Sequence, residues 1–231
     1  VDVQPIATEI SKLRVFLSLI VDAKIDDIAE NRGIKPLPNL EFKFVTANSL
    51  VGLEEEPLTF HEMLPGYQEL KDARELYFNS RGEDKSDIKH SFVNAQKLII
   101  ANAGNLFRSN NLKKKATWNP FKNEPADFFD PEWMFGVLEF DIVIGNPPYG
   151  GTKISDEVKN TFGLGSKDPY GAFLARFLGG YNIPTPLKNR GVLAFIVSDT
   201  FMTIKSHLPL RRMIMQNYIH KMIRVHPDTF K

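Results

Sequence analysis

A nearly continuous apolar run, GVLAFIVSD at residues 191–199, constrains the fold more than any other segment of the sequence. A half-exposed strand alternates apolar and polar residues, whereas an unbroken apolar run is typical of a parallel strand covered on both faces. A second such run, FDIVIG, occupies residues 140–145, and the segment DPYGAFLARFLGGY (168–181) between the two has helical spacing and ends at paired glycines. Strands alternating with helices predict an α/β fold with a parallel, doubly wound sheet.

Other segments extend this pattern. VDVQ at the start has the composition of a strand end, and Pro5 then opens a helix predicted to run to about residue 29 or 30, because Ile6, Ile10, Leu13, Leu17 and Ile20 recur at helical spacing. We predict two further strands, EFKFVTA (41–47) and IHKMIRVH (219–226), and a mainly helical segment, IKSHLPLRRMIMQNY.

Residues 54–130 do not show the alternation of strands and helices that the rest of the sequence shows. We predict two helices there, at about 66–80 and 86–102, followed by the basic, loop-like stretch NNLKKKATWNP and the aromatic, proline-broken stretch FKNEPADFFDPEW. We interpret this region as a helical insertion between two strands of one sheet. The predicted organisation is an N-terminal part at 1–53, the insertion at 54–130 and a catalytic part at 131–231.

Composition narrows the classes of function. The sequence has no run of about 18 uncharged apolar residues, so we expect no membrane span. It has no cysteine, which excludes disulfides and thiolate metal sites and fits a cytoplasmic location. The five histidines show no metal-ligand spacing, so we predict no metal site. The net charge of +1 means that contacts with nucleic acid must come from local clusters.

The sequence NPPY after the strand at 140–144 carries the most specific chemistry. Pro147 holds Asn146 in an extended backbone conformation, and Pro148 does the same to Pro147, so the loop is stiff and has backbone carbonyls without competing N–H groups. The Asn146 side chain adds an acceptor oxygen, and Tyr149 adds a flat face with a polar tip. Two acceptors beside an aromatic ring suit a planar molecule that carries an –NH₂ group. NPPY alone is also compatible with a surface turn, but the apolar strand before it favours the functional interpretation.

FDIVIGNPPY resembles the catalytic motif of amino-methyltransferases that use S-adenosylmethionine. With VDVQPIATEISKLRVFLSLI, FKFVTANSL, DPYGAFLARFL and GVLAFIVSDTFM in the same order, nearly the whole chain resembles the large adenine-specific (N6) DNA methyltransferases of restriction–modification and phage-defence systems. The resemblance implies a Rossmann-like sheet that binds S-adenosylmethionine. It also implies double-stranded DNA as partner, with the target adenine rotated out of the helix.

The resemblance also assigns roles to individual residues. Asn146 and the Pro147 carbonyl would receive the target amino group, Pro148 would stiffen the loop, and Tyr149 would stack on the target base. Asp2 takes the family's acidic position, where a carboxylate accepts from the cofactor's ribose hydroxyls. Asn48 stands where the family often has aspartate beside the cofactor's adenine amino group. Judged from their local sequence only, Asp2 is also compatible with a helix cap and Asn48 with a turn.

DNA phosphates would be contacted by two basic clusters, Lys113–Lys115 and Arg211–Arg212, with Trp118 and Phe121 available for stacking on bases. A charge run is more often a solvated face, so this expectation competes with a purely structural one.

The family pattern begins with a strand and a glycine-rich turn ahead of the acidic residue, and here the acidic residue is Asp2. We therefore expect an internal fragment of a larger protein, with an N-terminally incomplete sheet, missing target-recognition segments and little or no methyltransferase activity or cofactor binding by itself. The alternatives are methylation of a protein glutamine amide, methylation of RNA adenine, and a non-catalytic fragment or subunit. The long stretch 54–130 argues against the glutamine methyltransferases.

Overall fold

A computed structural model describes residues 1–28, 30–33, 39–53, 64–80, 84–103, 110–148, 150–179 and 184–226. The chain divides into two compact units, Val1–Gly136 and Val137–Lys231. Within the described residues, eight α-helices and two strands are found: α1 Pro5–Val21, α2 Tyr67–Asn79, α3 Asp84–Ala103, α4 Asn110–Thr117, α5 Pro131–Phe135, β1 Phe140–Gly145, α6 Asp156–Thr161, α7 Pro169–Leu178, β2 Leu187–Phe195 and α8 Leu208–Met215. Short 3₁₀ turns lie at Glu30–Gly33, Asp199–Met202 and Lys205–His207.

The first unit is built around an aromatic cluster. The fully buried Phe42 ring contacts Tyr77 on α2, Phe92 on α3 and Trp118 just after α4, with ring centroids 5.7, 5.4 and 6.3 Å away. Aromatic pairs of this kind contribute about 0.5–1.5 kcal/mol each beyond the area that they bury. The cluster therefore holds α2, α3, the residue after α4 and the chain around residue 42 in one core.

Among the described residues of the first unit, parallel pairing is limited to isolated bridges. Asp2 pairs with Thr46, and Ala47 pairs with Ala126, both in parallel orientation. The predicted strand 41–47 is therefore wrong over its first half, where residues 41–43 form a turn closed by the backbone N–H of Lys43 on the carbonyl of Leu40 at 2.9 Å. The helix predicted after Pro5 ends earlier than expected, at Val21, where the backbone N–H of Asp22 caps it.

The second unit contains a parallel two-stranded sheet formed by β1 and β2. The register pairs Ile142 with Val192 and Gly145 with Phe195, with an irregularity earlier in the ladder. Helix α7 packs beside β2, and eight of its ten residues are buried. Its predicted end at the paired glycines is confirmed, because Gly179 caps the helix in the left-handed conformation at φ 76°.

Three predictions about elements fail in the structure. The stretch 110–117 is a helix rather than a loop, because its only strongly apolar positions, Leu112 and Ala116, are one helical turn apart and both buried. Residues 219–226 are exposed and pair with none of the described strands. The run 191–199 is not covered on both faces by described residues, since Val192 and Ile196 are 56% and 47% exposed.

The chain is thus a mixed α/β protein with a small parallel sheet. The helices predicted at about 66–80 and 86–102 are confirmed, as is the strand at 140–144. None of the described helices combines the length and the apolar character that a membrane-spanning segment requires. The division into parts at 53/54 and 130/131 stays a prediction.

Candidate active site

The candidate catalytic loop leaves the carboxyl end of β1. The strand ends at Gly145, and the loop follows with Asn146 exposed, Pro147 buried and Pro148 exposed. Burial of Pro147 fixes the loop to the unit, while exposure of Asn146 leaves its amide accessible to a ligand. Tyr149, predicted to stack on the target base, lies outside the described residues.

The exit of β2 lies beside this loop. The backbone N–H of Ile196 donates to the carbonyl of Gly145 at 3.1 Å, which continues the ladder to the last residue before Asn146. A Cβ atom at position 145 would lie 2.9 Å from the ring of Phe195, so the close packing of that ring favours glycine here. Because both strands are parallel, the segments that follow them leave the same sheet edge, where ligands bind in open parallel sheets.

The two candidate cofactor residues, Asp2 and Asn48, are brought together by backbone pairing in the first unit. The backbone N–H of Ala47 donates to the carbonyl of Asp2 at 2.8 Å, and the N–H of Asp2 donates to the carbonyl of Val45 at 3.2 Å. The N–H of Asn48 in turn donates to the carbonyl of Ala126 at 3.0 Å. Asp2 and Asn48 therefore end adjacent, parallel-running segments.

Each of these side chains also makes a local hydrogen bond. Asp2 Oδ1 accepts from the backbone N–H of Gln4 at 2.8 Å, and Asn48 Oδ1 accepts from the N–H of Leu50 at 3.2 Å. Both bonds reach two residues ahead, as in Asx-turns. The turn that the local sequence allowed for Asn48 is therefore present, whereas the helix cap that it allowed for Asp2 is wrong, because the N-cap residue of α1 is Gln4. Asp2 remains exposed with a second carboxylate oxygen for a ligand.

A buried polar cluster that the sequence analysis missed supports this pair. Thr46 Oγ1, opposite Asp2, lies 2.8 Å from Thr8 Oγ1 and donates to Asn123 Oδ1 at 2.6 Å. Asn123 adopts φ 50°, a left-handed conformation that asparagine tolerates better than most residues. Thr8 and Asn123 are 115 residues apart, so no spacing in the sequence indicated that they meet.

Five of the seven basic and aromatic residues predicted to contact DNA have partners within the protein. Lys114 pairs with Asp127 and Lys115 with Asp130, both at 2.7 Å. Arg211 Nη1 donates to the carbonyls of Phe201 and Ile204 at 2.6 and 2.8 Å. Trp118 is 7% exposed and Phe121 packs on Phe42, so the prediction that Trp118 stacks on bases is wrong.

No group of three or more His, Cys, Asp or Glu side chains suited to a metal ion occurs among the residues that the structure describes. The candidate catalytic loop belongs to the unit 137–231, and the candidate cofactor residues belong to the unit 1–136.

Comparison with known proteins decides the family. Residues 1–230 match the family described as Eco57I restriction-modification methylase. The chain belongs to the Eco57I restriction-modification methylase family. The resemblance to restriction–modification methyltransferases drawn from the sequence is thereby confirmed. Membership connects the candidate loop at the end of β1 with a methylase rather than with another class of α/β protein.

One curated relative of this Eco57I-family chain is a candidate type II restriction enzyme and methyltransferase of Methanocaldococcus jannaschii, 27% identical over 297 residues. The match covers 100% of the chain and 24% of that protein, so the chain spans about a quarter of the length of the relative. No solved structure matches the chain.

Proposed function

We propose that this Eco57I-family chain supplies the catalytic loop and cofactor contacts of a site-specific DNA adenine N6-methyltransferase that uses S-adenosylmethionine. The observation that carries the proposal is the position of Asn146-Pro147-Pro148 at the carboxyl end of a parallel strand in a chain of the methylase family. The enzyme would act in the cytoplasm as part of a restriction–modification or related phage-defence system.

The proposal also includes a larger sheet than the strand pairs that the structure describes. The two parallel strands and the parallel bridges at Asp2 and Ala47 suit a Rossmann-like methyltransferase sheet. In that arrangement residues 1–53 and 131–231 belong to the sheet domain, and 54–130 form its helical insertion.

The catalytic residues act by positioning. Asn146 Oδ1 and the carbonyl of Pro147 accept the two amino hydrogens of the target adenine, which directs the nitrogen lone pair away from the loop. Pro148 keeps the loop from changing shape, and Tyr149 stacks on the base after it is rotated out of the duplex. An amide is too weak a base to remove a proton, so alignment of the nitrogen is the main contribution of the loop.

The acceptor oxygens of Asp2 and Asn48 fit S-adenosylmethionine. An exposed carboxylate at Asp2 suits two ribose hydroxyls, and the half-buried amide of Asn48 suits an adenine amino group through its oxygen. When bound, the cofactor supplies a methyl group on a sulfonium leaving group. Asp2 and Asn48 would then hold and orient it, without taking part in bond formation.

Methyl transfer measured on the natural full-length protein tests the proposal. Labelled S-adenosylmethionine would be offered with duplex DNA, RNA and a glutamine-containing protein acceptor in separate reactions. We expect label in DNA adenine, with Asn146→Ala lowering the rate at least about 100-fold. Asp2→Ala should instead weaken cofactor binding about tenfold. Asn160→Ala, which changes an exposed asparagine on α6, is the matched control and should retain the wild-type rate.

Each result has a definite meaning. Label in RNA or in the protein acceptor would show that this molecule, rather than DNA, is the substrate. Transfer to no acceptor would favour a non-catalytic role, and a wild-type rate for Asn146→Ala would remove Asn146 from the mechanism.

A further inference from the structure

A continuous chain of polar side chains lies in the second unit, beside the exit of β2. It begins at Ser198, whose Oγ is 2.9 Å from Thr200 Oγ1, and continues from Thr200 Oγ1 to the Tyr170 hydroxyl at 3.0 Å. The Tyr170 hydroxyl is 3.1 Å from His207 Nε2, which lies 3.0 Å from Asp168 Oδ2. The chain thus joins the segment after β2 to the N-terminal end of α7.

The middle of this chain is buried. Tyr170 and His207 are 2% and 3% exposed, and their rings lie against each other with centroids 5.6 Å apart. A buried polar group without a partner costs about 1–3 kcal/mol, so these contacts constrain where Thr200 and Asp168 can lie. Buried polar chains that are satisfied throughout make a structure more rigid.

The proton positions follow from the chemistry of the groups. The Asp168 carboxylate accepts only, so His207 Nε2 carries a hydrogen, which it shares between Asp168 Oδ2 and the oxygen of the Tyr170 hydroxyl. Tyr170 then keeps its own hydrogen for Thr200, and Thr200 donates to Ser198. Burial raises the pKa of the Tyr170 phenol, which keeps that hydrogen in place.

The held segment adjoins the candidate catalytic loop. Thr200 lies four residues after Ile196, whose backbone N–H donates to the carbonyl of Gly145 at 3.1 Å. Arg211 on α8 binds the same segment from its other end, through the carbonyls of Phe201 and Ile204. The segment after β2 is therefore fixed at both ends, next to the residue that precedes Asn146.

We propose that Thr200, Tyr170 and His207 are positioning residues for methyl transfer: they hold the segment after β2 and, through the pairing of β1 with β2, the loop Asn146–Pro148. The catalytic part of this inference rests on the proposed function. The mechanical part, that the polar chain orders the shared sheet edge, stands on the contacts alone.

Two variants of Thr200 in the natural full-length protein test the proposal. Thr200→Val keeps the shape and removes the hydroxyl, whereas Thr200→Ser keeps the hydroxyl. We expect Thr200→Val to lower the single-turnover rate of methyl transfer to DNA about tenfold, with dissociation constants for S-adenosylmethionine and DNA within about twofold of wild type. Thr200→Ser should stay within about twofold in rate.

Amide hydrogen exchange gives a readout that does not depend on activity. The Ile196 amide should exchange faster in Thr200→Val than in Thr200→Ser, because its acceptor at Gly145 is held less firmly. Tyr170→Phe removes the next hydroxyl in the chain, keeps the ring, and should reproduce both effects if Thr200→Val does not fold. Met213→Ala, which removes a buried side chain of α8 outside the polar chain, is the control for simple loss of stability and should leave the rate unchanged.

The outcomes separate the two proposals. If the wild-type protein transfers no methyl group to any acceptor, the proposed function fails, and the exchange of Ile196 still decides the mechanical part. Unchanged Ile196 exchange in both Thr200→Val and Tyr170→Phe overturns the positioning role whatever the activity. If Thr200→Val lowers the rate no more than Met213→Ala does, the positioning role is overturned as well.

Discussion

At the scale of single residues, the local hydrogen bonds of Asp2 and Asn48 order these side chains before any ligand binds. Each uses one oxygen to accept from a backbone N–H two residues ahead, at 2.8 and 3.2 Å. A side chain that is already fixed loses less conformational entropy when it binds, so the turn-forming and ligand-binding roles are compatible. For Asn48, the sequence pattern alone presented these two roles as alternatives.

The candidate site residues differ in how far the sequence could predict them. Asn146 was predictable because the two prolines after it restrict the backbone locally, whatever packs around them. The interior position of Trp118 was not, because it depends on Phe42, which lies far away in the sequence and meets it only in the folded core. The contact between Tyr170 and His207, 37 residues apart, was hidden for the same reason.

Tyr77 carries a residue-scale prediction about alkaline pH. Its side chain is 1% exposed, and burial raises the pKa of its phenol well above the ordinary value near 10, with the negative charge of Glu41 adding to the effect. The folded state keeps Tyr77 neutral where the unfolded state ionises it. Stability is therefore fully present below about pH 10 and falls above it, by about 1.4 kcal/mol per pH unit until the folded pKa is reached.

Urea unfolding of wild type and Tyr77→Phe between pH 8 and pH 11 measures this contribution. Tyr77→Phe should lose less stability above pH 10 than wild type, by about 1.4 kcal/mol at pH 11. Tyr218→Phe changes a residue that is 90% exposed and serves as the control, with the wild-type profile. Identical profiles for wild type and Tyr77→Phe would show that this phenol is not protected from water.

At the scale of elements, those that carry a local signal in their own sequence were predictable. Strand β1 and helix α7 carry their own signals, an apolar run for the strand and a proline start with a glycine end for the helix. Residues 219–226 have the composition of a strand, but a strand requires a neighbouring strand, and neither β1 nor β2 forms a ladder with them. Composition indicates the preference of a segment, and pairing decides whether the strand forms.

In helix α4, one residue of the lysine run forms a mostly buried ion pair instead of facing solvent. Lys115 and Asp130 are only 17% and 15% exposed, and Asp130 Oδ1 also accepts from the backbone N–H of Trp133 at 2.9 Å, which caps the N-terminal end of α5. Lys115 thus attaches α4 to the cap of α5. A DNA phosphate would have to compete with this pair for the ammonium group.

We therefore predict that Lys115→Met destabilises the first unit and leaves DNA binding unaffected. Loss of the ammonium leaves the Asp130 carboxylate half-paired in a mostly buried position, which should cost about 1–3 kcal/mol in urea unfolding. The slope of log Kobs against log salt for DNA should not change, since each lost phosphate contact would reduce it by about 1. Lys113→Met, on the exposed side of α4, is the matched control for stability. A slope reduced by about 1 in Lys115→Met would return this lysine to the DNA interface.

At the scale of the whole molecule, net charge and apolar surface both bear on association between copies of the chain. The net charge of +1 gives the chain little overall repulsion between copies. Meanwhile α1 presents Ile6, Ile10, Leu13 and Leu17 on one face, each about half exposed or more. Its opposite side is attached to the first unit through the buried hydroxyl of Thr8. An apolar face of this kind on a chain near neutrality favours association.

We predict that the 231-residue chain self-associates at micromolar concentration through this face of α1, and that the double variant Leu13→Lys, Leu17→Lys reduces the association. Lysine is a good helix former, so α1 should remain helical by circular dichroism while the apolar face is interrupted by two charges. Sedimentation velocity would show a shift towards the monomer. The control is the double variant Ser18→Lys, Asn102→Lys, which adds the same charge at two other exposed positions. It should leave the distribution of sedimentation coefficients unchanged. If the two double variants sediment alike, net charge rather than the α1 face controls association.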